Sequence, residues 1–452
     1  MTSKYIIFVK DVQSVSSLVT KNLFPCPRCN SICKKKDNDN FFIHIPLKPQ
    51  LAEMLNSDLY CSLRKNCDES DVVNGSVYKQ FRENGIIGDN DILIQFNVDG
   101  VNFARSSKKS MWPILAGVNE LPYRLRKDNL FLCGLWYGKK KPPMNLYLKP
   151  FVDEMNNLYN EGLIYNQTES DEHVIVKVHT VFCTVDSVAR PLVQNMKQFN
   201  GKFGCGYCIH EGLKVGKNKR VYPVNQNSTP RTAKQYRKYV RKSVKKEKAY
   251  KGVKGLPVLS LLPNFDMIEC FPPDYMHNWL LGISKLFITT WLDSKNKDKP
   301  FYLGPKKDEF NERVLNFQPP TEVSRTPQSV WDGYKANEWK NFVLYNSVIC
   351  LKGLLPAKYL KHWQLFVFSM SLLNKNIVNE NDLNRAEKAL EKFVQDTETL
   401  YGQLYMRYNV HILLHATKYV RKYGASWAWS TFPFENFNGV MKTLFHGTQY
   451  IP

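Results

Sequence analysis

The chain has 452 residues, 43% hydrophobic and 13% aromatic, enough to bury a sizeable core shared between two or three domains. No apolar run is long enough to cross a bilayer, and the start MTSKYIIFVKDVQ lacks the features of a secretory signal, so the sequence reads as intracellular with no membrane partner. In a reducing compartment the eleven cysteines are metal-ligand candidates before they are disulfides, and a net charge of +22 asks for a polyanionic partner.

The first 88 residues carry FPCPRCNSIC, with Cys26, Cys29 and Cys33, and later Cys61 and Cys67. Cys26 and Cys29 are candidate zinc ligands of a ribbon or knuckle, although the second cysteine pair is irregularly spaced. No helix-turn-helix, heptad or internal repeat is visible. From residue 91 the pattern sharpens. DILIQFNVDGV alternates apolar and polar residues and turns at Asp-Gly, and SMWPILAGVNEL and NLFLCGLWYG read as two further strands. PPMNLYLKPFVDEMNNLYNEGLIY, residues 142–165, has helical spacing behind two prolines, and HVIVKVHTVFCTVDSVAR is a strand running into Asp186. Asp99 and Asp186 thus end the first and fourth strands, where neighbouring strands would bring them to one edge of a sheet. Aspartates after strands are common as turn or cap residues. Two adjacent carboxylates, however, both stay ionised only around a positive charge, and Mg²⁺ (or Mn²⁺) shared with substrate phosphates supplies it.

GKFGCGYCIHEG follows, with Cys205 and Cys208 as half of a tetrahedral zinc site. Next comes the most basic stretch: from Lys214 to Lys254 there are fifteen Lys or Arg and one acid, Glu247. It is either a solvated charge run or a polyanion-contacting insert, and the interleaved tyrosines favour nucleic acid, with Lys238, Arg241, Lys242 and Lys245 as candidate phosphate contacts. The same run fits a nuclear-import signal. FPPDYMHNWLLGISKLF places Asp274 and His277 at a helix start, as a cap or as groups that bond a phosphate or a flipped base, ahead of a core stripe through Leu280, Leu281, Ile283 and Phe287. Near the end, His411 and His415 lie four apart in LYMRYNVHILLHATKYVRKY, one face of a helix. Alone they would be two histidines of an amphipathic helix. With an unmatched Cys-x-x-Cys available they complete a Cys₂His₂ set.

The stretches NVDGVNFARSSKKSMWPI, TVDSVARPLVQNMKQFNGKFGCGYCIHEG, FPPDYMHNWLLGISKLFITTWLDS and FPFENFNGVMKTLFHGTQ together resemble the DDE cut-and-paste transposases of the CACTA, Mirage and Chapaev group, also called En/Spm-like. The family is similar in layout to the catalytic subunit of the V(D)J recombinase. The resemblance implies an α/β fold, an RNase H-like mixed sheet interrupted by a large, mainly α-helical insertion and braced by a split zinc site. It also implies that Asp99, Asp186 and Glu435 are the three acidic ligands of catalytic Mg²⁺, that Cys205, Cys208, His411 and His415 hold Zn²⁺, and that Asp274 and His277 act near the site or its DNA strand. The 248 residues between Asp186 and Glu435 are too many for one loop, so the expected layout is 1–88 as a cysteine-containing region, 89–200 as the first part of the core, 201–405 as an insertion with the basic segment, and 406–452 as the returning core. Zinc would clamp the two ends of the insertion, while Trp427, Trp429, Phe432, Phe434 and Phe437 would pack the Glu435 helix onto the sheet.

Three functions follow as expectations: an active nuclear transposase working on DNA as a dimer or higher oligomer without a small-molecule cofactor, a recruited or decayed DNA-binding relative that no longer transposes, and a nuclease on the same fold. The stop at FHGTQYIP, soon after Glu435, is what a truncated copy would show.

Overall fold

The computed structural model describes residues 40–443, apart from 60–61, 65–66, 103–108, 167–172, 218, 225–227, 319–327 and 331–332, together with the backbone of two short paired strands, Leu23–Pro25 and Ile32–Lys34. Cys26, Cys29 and Cys61 lie outside the described residues. Among the described helices none is long and apolar enough to cross a membrane.

The centre is a mixed six-stranded sheet. Its strands are β1 (Asn40–His44), β2 (Ile92–Val98), β3 (Val101–Asn102), β4 (Ser110–Val118), β5 (Phe131–Gly138) and β6 (Val178–Cys183). Across the sheet the order is β6-β2-β4-β5-β1, with the short β3 added on β4. β2, β4 and β5 form an antiparallel meander, β1 adds antiparallel to β5, and β6 returns parallel to β2. That return needs a crossover, which α1 (Lys149–Asn160) supplies. α1 buries Phe151, Val152, Met155 and Leu158, the helical spacing seen in the sequence, and its Phe151 ring meets Phe96 of β2 at 5.1 Å.

The local sequence misled at the fourth strand. HVIVKVHTVFC is not one strand: His173–Val176 folds back on Leu163–Asn166 as a separate hairpin, and only Val178–Cys183 joins the sheet. Leu163–Asn166, read as the end of the helix, is therefore a strand. Gly162, at φ +75°, turns the chain out of the helix, a conformation that L side chains rarely adopt.

The stretch 201–405 is mainly helical but not one detached body. α2 (Ala233–Lys245) forms the centre of the basic run, while Cys270 and Pro273 come back to the sheet margin through Cys183 N to Cys270 O at 2.9 Å and a parallel bridge between Val185 and Pro273. Beyond that the chain enters a π-helix, Tyr275–Ser284, continued by an α-helix, Lys285–Leu292. It then builds a helical body around α3 (Ala357–Leu373) and α4 (Glu380–Tyr401). Leu280, Ile283 and Phe287 are fully buried, as their spacing predicts, and Phe287 meets the rings of Trp291, Trp363, Phe393 and Tyr401. After α4 the chain returns to the sheet, and the described residues end with α5 (Phe432–Thr443).

Candidate metal centres and catalytic cluster

Parallel pairing of β2 and β6 sets the first two carboxylates. Phe96 lies opposite Cys183 and Thr184 N donates to Phe96 O, so Asp99 and Asp186, each three residues further on, leave the sheet at the same end. Asp99 turns at once: Gly100 N donates to its Oδ1 at 2.6 Å, and a Cβ on Gly100 would stand 2.5 Å from the Trp112 ring, so only glycine lets the chain pass that indole. Asp186 Oδ1 accepts from Val188 N and Ala189 N, committing that oxygen to the turn.

Glu435 arrives from the far end of the chain. Phe434 and Phe437 of α5 pack with Leu115, Leu130 and Leu132, so these two rings dock the helix on the sheet. The other aromatics named from the sequence divide differently. Trp429 meets Trp279 and Phe432 meets Tyr275 on the π-helix, while Trp427 meets Tyr123. The N-terminus of α5 is tied to the π-helix by Asp274, which accepts from Thr431 N at 3.1 Å and Thr431 Oγ1 at 2.9 Å while also capping Met276 N and His277 N. Asp274 is therefore a cap, fully buried; its contact with the surface runs through His277, whose Nδ1 lies 2.6 Å from Asp274 Oδ2. Ser187, beside Asp186, adds a second tie through Asn278 Oδ1 at 2.5 Å.

One ligand atom each of Asp99, His277 and Glu435 lie within 4.8 Å of one another. His277 Nε2 is 3.8 Å from Glu435 Oε1. Asp186 is outside that trio but close enough to act on Asp99 as a like charge. Burial, then Asp186 and Glu435, push Asp99 up to about 8. Burial raises Glu435 as well. Burial alone would lower His277, yet the bond to Asp274 and the surrounding carboxylates outweigh it and hold the imidazole up at about 9. The result is a crowded acidic cluster, open at its tip, that a cation relieves.

The second group is Cys205, Cys208, His411 and His415, whose sulfur and nitrogen atoms also lie within 4.8 Å of one another. Cys205 Sγ is 3.7 Å from His415 Nε2, and Cys208 Sγ is 3.3 Å from His411 Nε2. A tetrahedral zinc with ordinary bond lengths sets sulfur and nitrogen about 3.6 Å apart, so the four side chains fit that ion. The expected single helix through the histidines is interrupted: Tyr408–Ile412 and Ala416–Tyr423 are joined by a 3₁₀ turn, Leu413–His415. Tighter winding there sets where His415 points. Burial drives the Cys205 thiol up, but bonds to Cys208, His411 and His415 outweigh it and bring it below the usual thiol range. Burial also lowers His415, favouring the neutral ring that a metal needs.

The surroundings hold these four in place. Tyr222 stacks on His411 at 4.9 Å, and Tyr222 N bonds Met406 O at 2.7 Å. Arg190, one turn after Asp186, bonds the hydroxyls of Tyr207 and Tyr408, joining the aspartate's turn to both halves of the cluster. His210 is not a fifth ligand, since its nitrogens bond Pro223 O and Gly212 N.

Residues with no sequence signal complete the frame. Buried Arg126 donates to Asp71 Oδ1 at 2.6 Å, Ala428 O at 3.1 Å, Asn119 O at 2.9 Å and Leu121 O at 3.1 Å. Ala425 N bonds Ser70 O at 2.7 Å, and Gly424, at φ +82°, passes so close that a Cβ would lie 2.2 Å from that oxygen. The turn that leads into α5 is thus gripped by the core and by residues 70–71.

The centre of the basic run is a helix, α2. Thr232 and Gln235 form a capping box, Tyr236, Val240 and Ser243 face inward, and Lys238, Arg241 and Lys245 are exposed. Lys242 lies over the Tyr250 ring at 4.7 Å.

Residues 75–254 match the family described as Transposase family tnp2. The matched stretch holds Asp99, Asp186, Cys205, Cys208 and the basic helix. It supports a transposase family, hence a transposase-related function and DNA binding. No curated protein matches the chain.

Proposed function

We propose that the protein is a DDE transposase of the CACTA, Mirage and Chapaev group that cleaves DNA and joins the freed strand to a target. The observation that carries this reading is the meeting of Asp99, His277 and Glu435 within 4.8 Å at the sheet end where Asp186 also emerges. The antiparallel meander, the crossover helix and the parallel β6 make an RNase H-like core the natural description, with the helical body as its insertion in a V(D)J-recombinase-like layout.

Asp99, Glu435 and the second oxygen of Asp186 would hold divalent magnesium or manganese. Such ions supply a water of lowered pKa and charge for the developing oxyanion. The chain's own groups do the rest. Asp274 holds the Nδ1 proton of His277, which leaves Nε2–H directed at the cluster, where it donates to a phosphate oxygen or to the departing 3′-oxygen. In the first step the oxygen of water bonds phosphorus and the bond to the 3′-oxygen breaks; in the second, that 3′-hydroxyl attacks a target phosphate and displaces another 3′-oxygen. Zn²⁺ at Cys205, Cys208, His411 and His415 would be structural, a closed set that keeps Asp186 and α5 in register. Lys238 and Lys242 would contact the DNA backbone. Nuclear residence and assembly as a dimer or larger oligomer on DNA complete the reading.

The test is cleavage and strand transfer on DNA bearing the element's own ends with Mg²⁺ or Mn²⁺. Asp99→Asn, Asp186→Asn and Glu435→Gln should each abolish both steps while DNA binding persists. A Glu435→Gln protein that cuts at the native rate would remove Glu435 from the triad. Wild-type protein that binds but never cuts would favour the DNA-binding relative.

A further inference from the structure

α2 has two different flanks. On one, Lys242 and Lys246 lie over Tyr250, with Tyr239 packed beside that ring. The other faces a groove of about 850 Å³, closed on its far side by residues 256–267. Its floor is apolar, with Val240, Phe265 and Met267, and its lip carries Val244 and Leu256, exposed at 61% and 55%. Arg237, Arg241 and Lys245 line the same groove. The only acid in its lining, Asp266, turns its Oδ1 to its own backbone, accepting from Ile268 N and Glu269 N.

We propose that this groove docks an acidic amphipathic helix of a partner protein, its apolar side chains seated between Val244 and Leu256 and its carboxylates on Arg237 and Arg241. The pairing of features selects the occupant. A DNA backbone uses the cations but gains nothing from an apolar floor with two large exposed aliphatic side chains. A helix with anchors at i, i+3, i+4 and i+7 uses both, and a groove lying along another helix is the shape it needs. Arginines at the rim favour carboxylates, which they bind in bidentate geometry. The groove shares no residue with the acidic cluster.

The probe is a fluorescein-labelled synthetic peptide of about 15 residues with Leu at those four spacings and Glu or Asp elsewhere. Fluorescence anisotropy should show saturable binding to the full chain, weakened by about tenfold or more in Val244→Asp and in Arg237→Glu/Arg241→Glu, and lost when the peptide's Leu residues become Ser. Duplex affinity of Val244→Asp should be unchanged, and because Val244 is exposed its melting temperature should match wild type. If the Leu-to-Ser peptide bound equally well, the groove would be only a charged surface and the proposal would fail. It would equally fail if Val244→Asp weakened duplex binding and left peptide binding intact, making the groove part of the DNA path.

Discussion

Arg126→Met should show how much of the site's geometry rests on residues far from it. The guanidinium and its partner Asp71 are 1% and 0% exposed, and the change removes four donated bonds together with the charge paired with Asp71. Removing one member of a buried pair costs about 3–5 kcal/mol because the other is left charged and dry. A domain of 150–250 residues loses roughly 2–4 °C per kcal/mol, so melting should fall by about 6–20 °C. The paired change Asp71→Leu/Arg126→Met removes both charges and should recover most of that loss, since a packed apolar pair is often neutral relative to a buried ion pair. The recovered protein would still lack the bond to Ala428 O, so α5 would be less firmly placed and strand transfer should remain impaired. Scanning fluorimetry with zinc present, followed by the strand-transfer assay, reads both effects. Melting of Arg126→Met within about a degree of wild type, or a double variant as unstable as the single, would refute the clamp.

Purified protein should contain one tightly held zinc by elemental analysis, and Cys208→Ser or His415→Ala should lose it and melt lower; zinc-free but folded wild-type protein would contradict the site. Glu120 is fully buried, its carboxyl accepts from Leu93 N, and burial raises it from 4.5 to about 7. A raised folded pKa means that its contribution to stability is present below pH 4.5 and is lost as pH rises through 7, by about 3 kcal/mol in all, so Glu120→Gln should flatten the melting profile and gain most above pH 7. Lys238→Ala/Lys242→Ala should weaken duplex binding for every sequence and reduce the salt slope by up to about 0.9 log units per lost phosphate contact, measured by titration at several salt concentrations.

Much of this was legible in the sequence because it rested on period and spacing. Short apolar stretches ending at turns marked β2, β4 and β5, although β2 is buried along its whole length and not on the one face its alternation suggested, and Asp99 and Asp186 stood out by their places just past two strands. Cys205, Cys208, His411 and His415 were legible because a half-set of ligands asks for its complement. The hairpin at Leu163–Asn166 and His173–Val176 was not, since continuous β-branched residues carry no mark of where one strand yields to another. Nor were Asp71 and Arg126, ordinary charged residues until folding removes water from both. That the basic run holds a packed helix was not legible either, because its three inward side chains, Tyr236, Val240 and Ser243, are too few to outvote its cations.

The ties that assemble the cluster span great distances along the chain: Asp274 to Thr431 is 157 residues, Arg126 to Ala428 is 302, and Ser70 to Val378 is 308. None can form on a ribosome until the partner at residue 378, 428 or 431 has emerged. At roughly 5–20 residues per second, β2 waits tens of seconds for α5, with Asp99 and Asp186 already made and Glu435 still to come. During that wait the nascent chain can display its cationic helix but not the three-residue cluster.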